Sequence, residues 1–356
     1  PGARRHRGGG RRGGLGRSAM IPVLLVTGFL GSGKTTLIRR ILTDAAFARS
    51  AVIVNEWGEI GLDHDLVASA DENLIELATG CLCCRVSGDL GRTFAKLSGA
   101  GQGRYDRVLI ETSGLADPAP ILRALMSDPA IRTGHSLLGT LTLADARMGE
   151  ACLARHPEAR RQVAFADRLL ITKTDLAPDI AGLERALAEL NPDAERLRAV
   201  RGQIAPGILF APTPPAPPRA LPPAAAMHSD GITSTVLLRE RPVPALALIL
   251  FLQALAEHCG PRLLRTKGLV DVTEMPGRPA LIHGVQHMFE PPEWLASWPG
   301  EDRMTRLVFI GLGLPRHFPV RLLAAIEEEV VEESANDANL NHDGTLAELG
   351  ASGSSG

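Results

Sequence analysis

Gly28-Phe29-Leu30-Gly31-Ser32-Gly33-Lys34-Thr35 decides the reading of this chain, because it meets the phosphate-loop pattern G-x-x-x-x-G-K-[ST] at every specified position. Its flanks agree with it. Ile21 to Thr27 is a short apolar run that reads as a buried strand, and Thr36 to Leu42 continues with helical spacing. Glycines at Gly28, Gly31 and Gly33 let the backbone wrap closely round an anion with its N–H groups pointing inward, and the start of a helix adds the positive end of its dipole. In this frame Lys34 is expected to reach the β- and γ-phosphates of a nucleotide and Thr35 to ligate Mg2+.

Further apolar runs follow, and several end in polar residues. Ala51 to Asn55 leads into Glu56, Glu59 and Asp63-His64-Asp65; Asn73 to Leu77 leads into Thr79-Gly80-Cys81-Leu82-Cys83-Cys84. Arg107 to Glu111 ends in Glu111-Thr112-Ser113-Gly114. An acid at the tip of a buried strand can hold Mg2+ directly or through water, and the Gly114 N–H is placed to meet a γ-phosphate. Ser136 to Asp145 and Arg168 to Ile171 read as strands, the second ending in Thr172-Lys173-Thr174-Asp175. A carboxylate such as Asp175 accepts two hydrogen bonds from the ring N–H and amino group of guanine; adenine offers no such pair, and the unpaired carboxylate would penalise it. Thr172 stands where asparagine is usual in such a motif.

The crowded thiols Cys81, Cys83 and Cys84 admit three readings: soft ligands for Zn2+ or Cu+, buried inert side chains, or a redox pair. Four-coordinate zinc needs further donors, and Glu59, Asp63 and His64 lie on the loop after the preceding strand. Cys152 and Cys259 are isolated and read as buried small hydrophobes, while His283 and His287 stand four apart in a strand-like stretch and would share one face.

Composition bounds the rest. A net charge of −2 gives no general pull toward nucleic acid or a membrane surface, and aromatics at 4% are too sparse for a base-stacking platform. The most apolar later run, Ala245 to Ala256, is too short to span a bilayer. Five cysteines in 356 residues do not make a disulfide scaffold, which suits a reducing, cytoplasmic setting. Residues 1–19 hold six arginines and no acid, read as a disordered basic extension with Met20 as the functional start. Residues 20–204 read as a nucleotide domain, 205–230 as a linker, 231–333 as a small α+β domain and 334–356 as a disordered tail. The linker is expected to be stiff and extended because eight prolines fall between Pro206 and Pro223.

Taken together, GFLGSGKTTL at 28–37, VNEWGEIGLDHDLV at 54–67, GCLCC at 80–84, ETSGLADP at 111–118 and ADRLLITKTDL at 166–176 resemble the CobW-type family of P-loop GTPases, which includes zinc metallochaperones. RTKGLVDV at 265–272 and WPGEDRMTRLVFIGLGL at 298–314 are similar to that family's C-terminal domain. The resemblance implies a parallel α/β sheet flanked by helices, followed by a small α+β domain. It implies a phosphate loop at Gly31 to Thr36, including Ser32, Gly33, Lys34, Thr35 and Thr36; an Mg2+-associated acid at Glu111; and base reading by Lys173 and Asp175. It implies metal binding by Cys81, Cys83, Cys84 and Glu59. The function it implies is GTP hydrolysis coupled to delivery of a metal ion, Zn2+ foremost, to a client metalloprotein. Co2+ handling for cobalamin synthesis and a non-catalytic metal-binding scaffold are the alternatives, and a homodimer is compatible with each. No arginine finger is evident, so slow unstimulated turnover is expected.

Overall fold

The structure, a computed structural model, describes residues 20–55, 74–76, 82–99, 105–201, 203–211 and 231–333. The first half runs β1 (Ile21–Gly28), α1 (Lys34–Leu42), β2 (Ser50–Asn55), β3 (Leu74–Glu76), α2 (Leu82–Gly99), β4 (Arg107–Thr112), α3 (Ala119–Ser127), α4 (Pro129–Arg132), β5 (His135–Asp145), α5 (Gly149–Arg155), α6 (Pro157–Ala164), β6 (Arg168–Thr172), α7 (Ala181–Leu190), β7 (Glu195–Arg198) and α8 (Pro206–Phe210). Its seven strands form one sheet in the order β3-β2-β4-β1-β5-β6-β7, with every pairing parallel.

The apolar runs read as strands are continuous rather than alternating because helices cover both faces of this sheet. Val23 and Leu25 of β1 enter a core with Leu90 and Phe94 of α2, Leu122 of α3 and Val163 of α6. Leu24 and Val26 enter the opposite core with Leu37, Ile38 and Ile41 of α1. The strand order reverses at β1, which has β4 on one side and β5 on the other. A parallel sheet opens a crevice at such a point, at the carboxyl ends of its strands. The phosphate loop follows β1 directly and so occupies that crevice.

The second half contains β8 (Ile232–Arg239), α9 (Ala245–Cys259), β9 (Leu263–Val270), β10 (Ala280–Val285), β11 (Met288–Phe289), β12 (Glu293–Trp294) and β13 (Thr305–Leu312), then a last helix, α10, at 318–333. Its sheet is antiparallel, ordered β11-β10-β9-β13-β8 with β12 on β10. One face packs on α9 and α10 through Phe251, Leu255, Phe309 and Leu323. The other contributes Leu264, Val285, Val308 and Ile310 to the core that holds Phe165 and Leu187 of the first half. The two halves therefore share one continuous apolar core.

A buried ion cluster crosses the same boundary. Asp167, between α6 and β6, pairs with Arg265 and, at 2.7 Å, with Lys267, both on β9. Its second oxygen accepts the Thr140 N–H at 2.8 Å. Burial alone would raise the Asp167 carboxyl, but Arg265 and Lys267 outweigh it and hold the group well below the ordinary carboxylate range.

Three expectations need correction. Residues 206–210 are helical, not extended: a proline at the first turn of α8 costs no hydrogen bond, and Leu209 gains burial under the sheet. His283 and His287 do not share a strand face, because β10 ends at Val285 and Gln286 turns the chain at φ 54°. Cys259 is buried as expected, but Cys152 is only half-buried.

At the amino end of β5, His135 is buried with its Nε2 3.0 Å from the Tyr105 hydroxyl and Phe94 packed edge-on. Burial lowers its imidazole below the ordinary histidine value. The fold thus favours the neutral ring, whereas the unfolded chain takes up a proton at about pH 6.5. This contribution to stability is full above that pH and is lost as pH falls below it. In thermal melts, wild type should lose stability between pH 7.5 and 5.5, and His135→Gln should lose markedly less.

Candidate nucleotide site

The cradle begins with three glycines at positive φ: Gly28 at 144°, Gly31 at 73° and Gly33 at 97°. They are needed for different reasons. A methyl group on Gly28 would lie 2.6 Å from the Leu143 carbonyl oxygen, so the loop could not leave β1 alongside β5. A methyl group on Gly31 or Gly33 would meet no atom within 4 Å, so the space beside these two positions is open. Gly33 caps α1, whose first N–H groups have no acceptor within the helix and can meet an anion.

The charged and hydroxyl groups converge on the same edge. Lys34 is buried and its Nζ donates to the carbonyls of Gly28 at 2.7 Å and Phe29 at 3.3 Å, spanning the loop from beneath. Thr35 Oγ1 donates to Glu111 Oε1 at 3.0 Å, across 76 residues of sequence. Glu111 ends up there because β4 pairs with β1 in register, Val26 beside Glu111. It is only 2% exposed. A hydroxyl and a buried carboxylate in contact at the end of the glycine loop are a donor set suited to Mg2+, a hard cation that takes few protein oxygens and completes its shell with water and phosphate.

Thr172 and Lys173 brace the cradle from β6. The Thr172 hydroxyl donates to the Ser32 carbonyl at 2.8 Å, and Lys173 Nζ donates to the Gly31 carbonyl at 2.7 Å and to Asp145 Oδ2 at 2.6 Å. Thr172, where asparagine is usual, thus ties the strand-end motif to the phosphate loop. Lys173 takes a left-handed conformation at φ 57°, which starts the short turn Thr174–Leu176 and leaves Asp175 exposed at the rim. Thr36, the next residue of α1, is also exposed. Asp145 is a site residue that the sequence pattern did not disclose; its only local signal was an acid at the end of a strand.

Gly114 lies against the phosphate loop, where a methyl group would sit 2.8 Å from the Leu30 nitrogen. The fully buried Gln162 of α6 holds the segment after it, its Nε2 donating at 3.1 Å to the carbonyls of both Gly114 and Ala116. Arg161 adds an ion pair to Asp117 at 2.7 Å. Beside this loop lies a largely apolar pocket of about 270 Å³, lined by Leu30, Met148, Cys152, Gln162 and Val163 among others. Burial, and next the nearby Asp145 charge, push the Cys152 thiol up, so it stays protonated and unreactive at neutral pH.

The expected metal ligands fare differently. Cys81 and Glu59, with Asp63 and His64, lie outside the described residues. Cys83 and Cys84 fall in the first turn of α2, which follows β3. Since every strand of the sheet is parallel, the carboxyl end of β3 shares its edge with the phosphate loop, with β2 and β4 between. Among the described residues no group of three or more His, Cys, Asp or Glu side chains could hold a metal ion, and no helix is long and apolar enough to cross a membrane.

Comparison with known proteins fits this geometry. Residues 22–198 match the family described as CobW/HypB/UreG, nucleotide-binding domain, and residues 232–327 match the cobalamin synthesis protein cobW C-terminal domain. The chain is 33% identical over 306 residues to the zinc chaperone YjiA of Escherichia coli, covering 83% of this chain and 95% of that protein. It is 33% identical over 347 residues to the zinc chaperone CobW of Pseudomonas aeruginosa, covering 82% and 88%. The crystal structure of Zn(II)-bound YjiA GTPase from E. coli superimposes with a TM-score of 0.65 at 29% identity, covering 86% of this chain and 99% of that one.

Proposed function

The chain belongs to the CobW/HypB/UreG family, and on that premise we propose that it hydrolyses GTP and uses the cycle to gate delivery of a metal ion, Zn2+ foremost, to a client metalloprotein. The observation that carries the nucleotide half is the Thr35–Glu111 contact of 3.0 Å beside two glycines with open space where side chains would be. In this reading the backbone of Gly31 to Thr36 binds the phosphates and Lys34 neutralises them. Thr35 and Glu111 would hold Mg2+, which would supply positive charge to offset that of the phosphates. Gly114 donates its N–H toward the γ-phosphate. Asp175 reads guanine, while Lys173 and Thr172 fix the phosphate loop relative to it.

For the metal half the supporting facts are the GCLCC stretch, the position of α2 at the same sheet edge, and the zinc chaperones to which the chain is similar. Cys83 and Cys84 with Cys81 and Glu59 take the ion as cargo, and the C-terminal domain meets the client. Metal affinity then depends on nucleotide state through the loops between the two sites.

The test is GTP turnover with and without Zn2+, and with Co2+ as a second metal, in wild type, Cys83→Ser and Cys84→Ser. Zn2+ should change the wild-type rate several-fold and leave both serine variants unmoved. Equal rates in every condition would remove the coupling; no turnover in wild type would remove the GTPase. Asp175→Asn should shift preference from GTP toward xanthosine triphosphate, whose ring carbonyl pairs with an amide; unchanged preference would remove Asp175 as the base reader.

A further inference from the structure

Helix α6 is gripped at its middle and just past its carboxyl end by groups that otherwise lie far apart in sequence. Near its middle, Arg161 holds Asp117 and Gln162 holds the Gly114 and Ala116 carbonyls, all on the loop after β4. The amide assignment of Gln162 is unambiguous, because its nitrogen faces two carbonyl oxygens that only a donor can satisfy. Just past the carboxyl end of α6, the Phe165 carbonyl accepts a hydrogen bond from Arg265 at 2.6 Å, and Asp167 pairs with Arg265 and Lys267. Gln162, whose side chain holds the loop beside the phosphate cradle, thus stands five positions before Asp167, the carboxylate that anchors β9. A second bridge runs in parallel: Arg123 of α3, the helix after that loop, donates to Gln286 at 2.6 Å, in the turn that follows β10.

We infer that α6 is a lever which reports the position of the Gly114 loop to the C-terminal domain, with Gln162 as its positioning residue. When Gly114 moves toward a γ-phosphate, its carbonyl and that of Ala116 move too. Gln162 is fully buried, so its NH2 cannot exchange those partners for water, and leaving it unpaired is unfavourable. The helix follows its side chain, and the displacement reaches Phe165 and Asp167. There the ion cluster is equally unable to solvate, so it transmits the shift to β9 rather than absorbing it. Linkage makes the effect reciprocal: whatever binds the C-terminal domain in one orientation changes affinity for the nucleotide that favours it. The inference rests on the proposed nucleotide site and adds the route by which that site reaches the client-facing domain.

The test is hydrogen exchange over 263–270 in the full chain, comparing GDP with a non-hydrolysable GTP analogue. Wild type should show at least a threefold difference in exchange between the two nucleotides. Gln162→Met keeps the volume and removes the donors. It should keep analogue affinity within about threefold, lower kcat about tenfold, and erase the β9 difference. Lys267→Met leaves Asp167 and Arg265 as a neutral pair, so it should fold and at least halve the difference; it keeps the idea testable should Gln162→Met fail to fold. If wild type binds both nucleotides and β9 exchanges alike in each, or if both variants retain the full difference, the lever is wrong while the nucleotide site stands. If wild type binds neither nucleotide, the proposed function and the lever fall together.

Discussion

Lys34→Ala should lower GTP turnover by about a hundredfold to a thousandfold, the range lost when one preorganised donor to developing charge is removed. Two effects act together. The ammonium that would meet the phosphates is gone, and the bonds from Nζ to the Gly28 and Phe29 carbonyls, which tie the loop's entry to the start of α1, go with it. Steady-state turnover with a melting curve on the same preparation separates chemistry from unfolding. Turnover within threefold of wild type at an unchanged melting temperature would show that Lys34 serves the loop's shape and not a nucleotide.

Asp167→Asn should cost about 3–5 kcal/mol, the loss typical of breaking a buried ion pair on one side. The asparagine leaves Arg265 and Lys267 buried beside each other without a counter-charge. In a domain of this size that corresponds to a drop of roughly 10 °C in melting temperature. Lys267→Met should cost much less, because it leaves one cation facing one anion; equal losses in the two variants would disprove the charge argument. The pH dependence follows from the depressed Asp167 carboxyl. A group held below its unfolded value contributes in full above that value, about pH 3.9, and its contribution is lost as pH falls from there through the folded value. The acid limit set by Asp167 thus lies below about pH 4, separate from the loss below pH 6.5 expected of His135.

The strands of the first sheet were legible because both their faces are buried, so apolar runs stand out against polar loops. The helices α3, α5 and α6 were not foreseen. They are short, and α6 is mostly polar by sequence: PEARRQVA buries Arg160 and Gln162, which reads as a solvated face until their acceptors are known. Asp167 lay in plain view within ADRLLITKTDL, yet its partners stand about 100 residues away on β9. Gln162 has the same character, since its acceptors precede it by 46 and 48 residues.

From residue order alone came the phosphate loop, the acid at the tip of β4, the lysine and aspartate after β6, and the two-part layout, because each is a local pattern whose chemistry depends on spacing along one strand and turn. Only the folded chain decided that Thr35 touches Glu111, that Thr172 reaches the Ser32 carbonyl, and that the two halves are joined through Asp167. Those depend on which strands become neighbours and in what register. That choice is made by burial of whole faces against one another, a property that no short stretch of sequence carries.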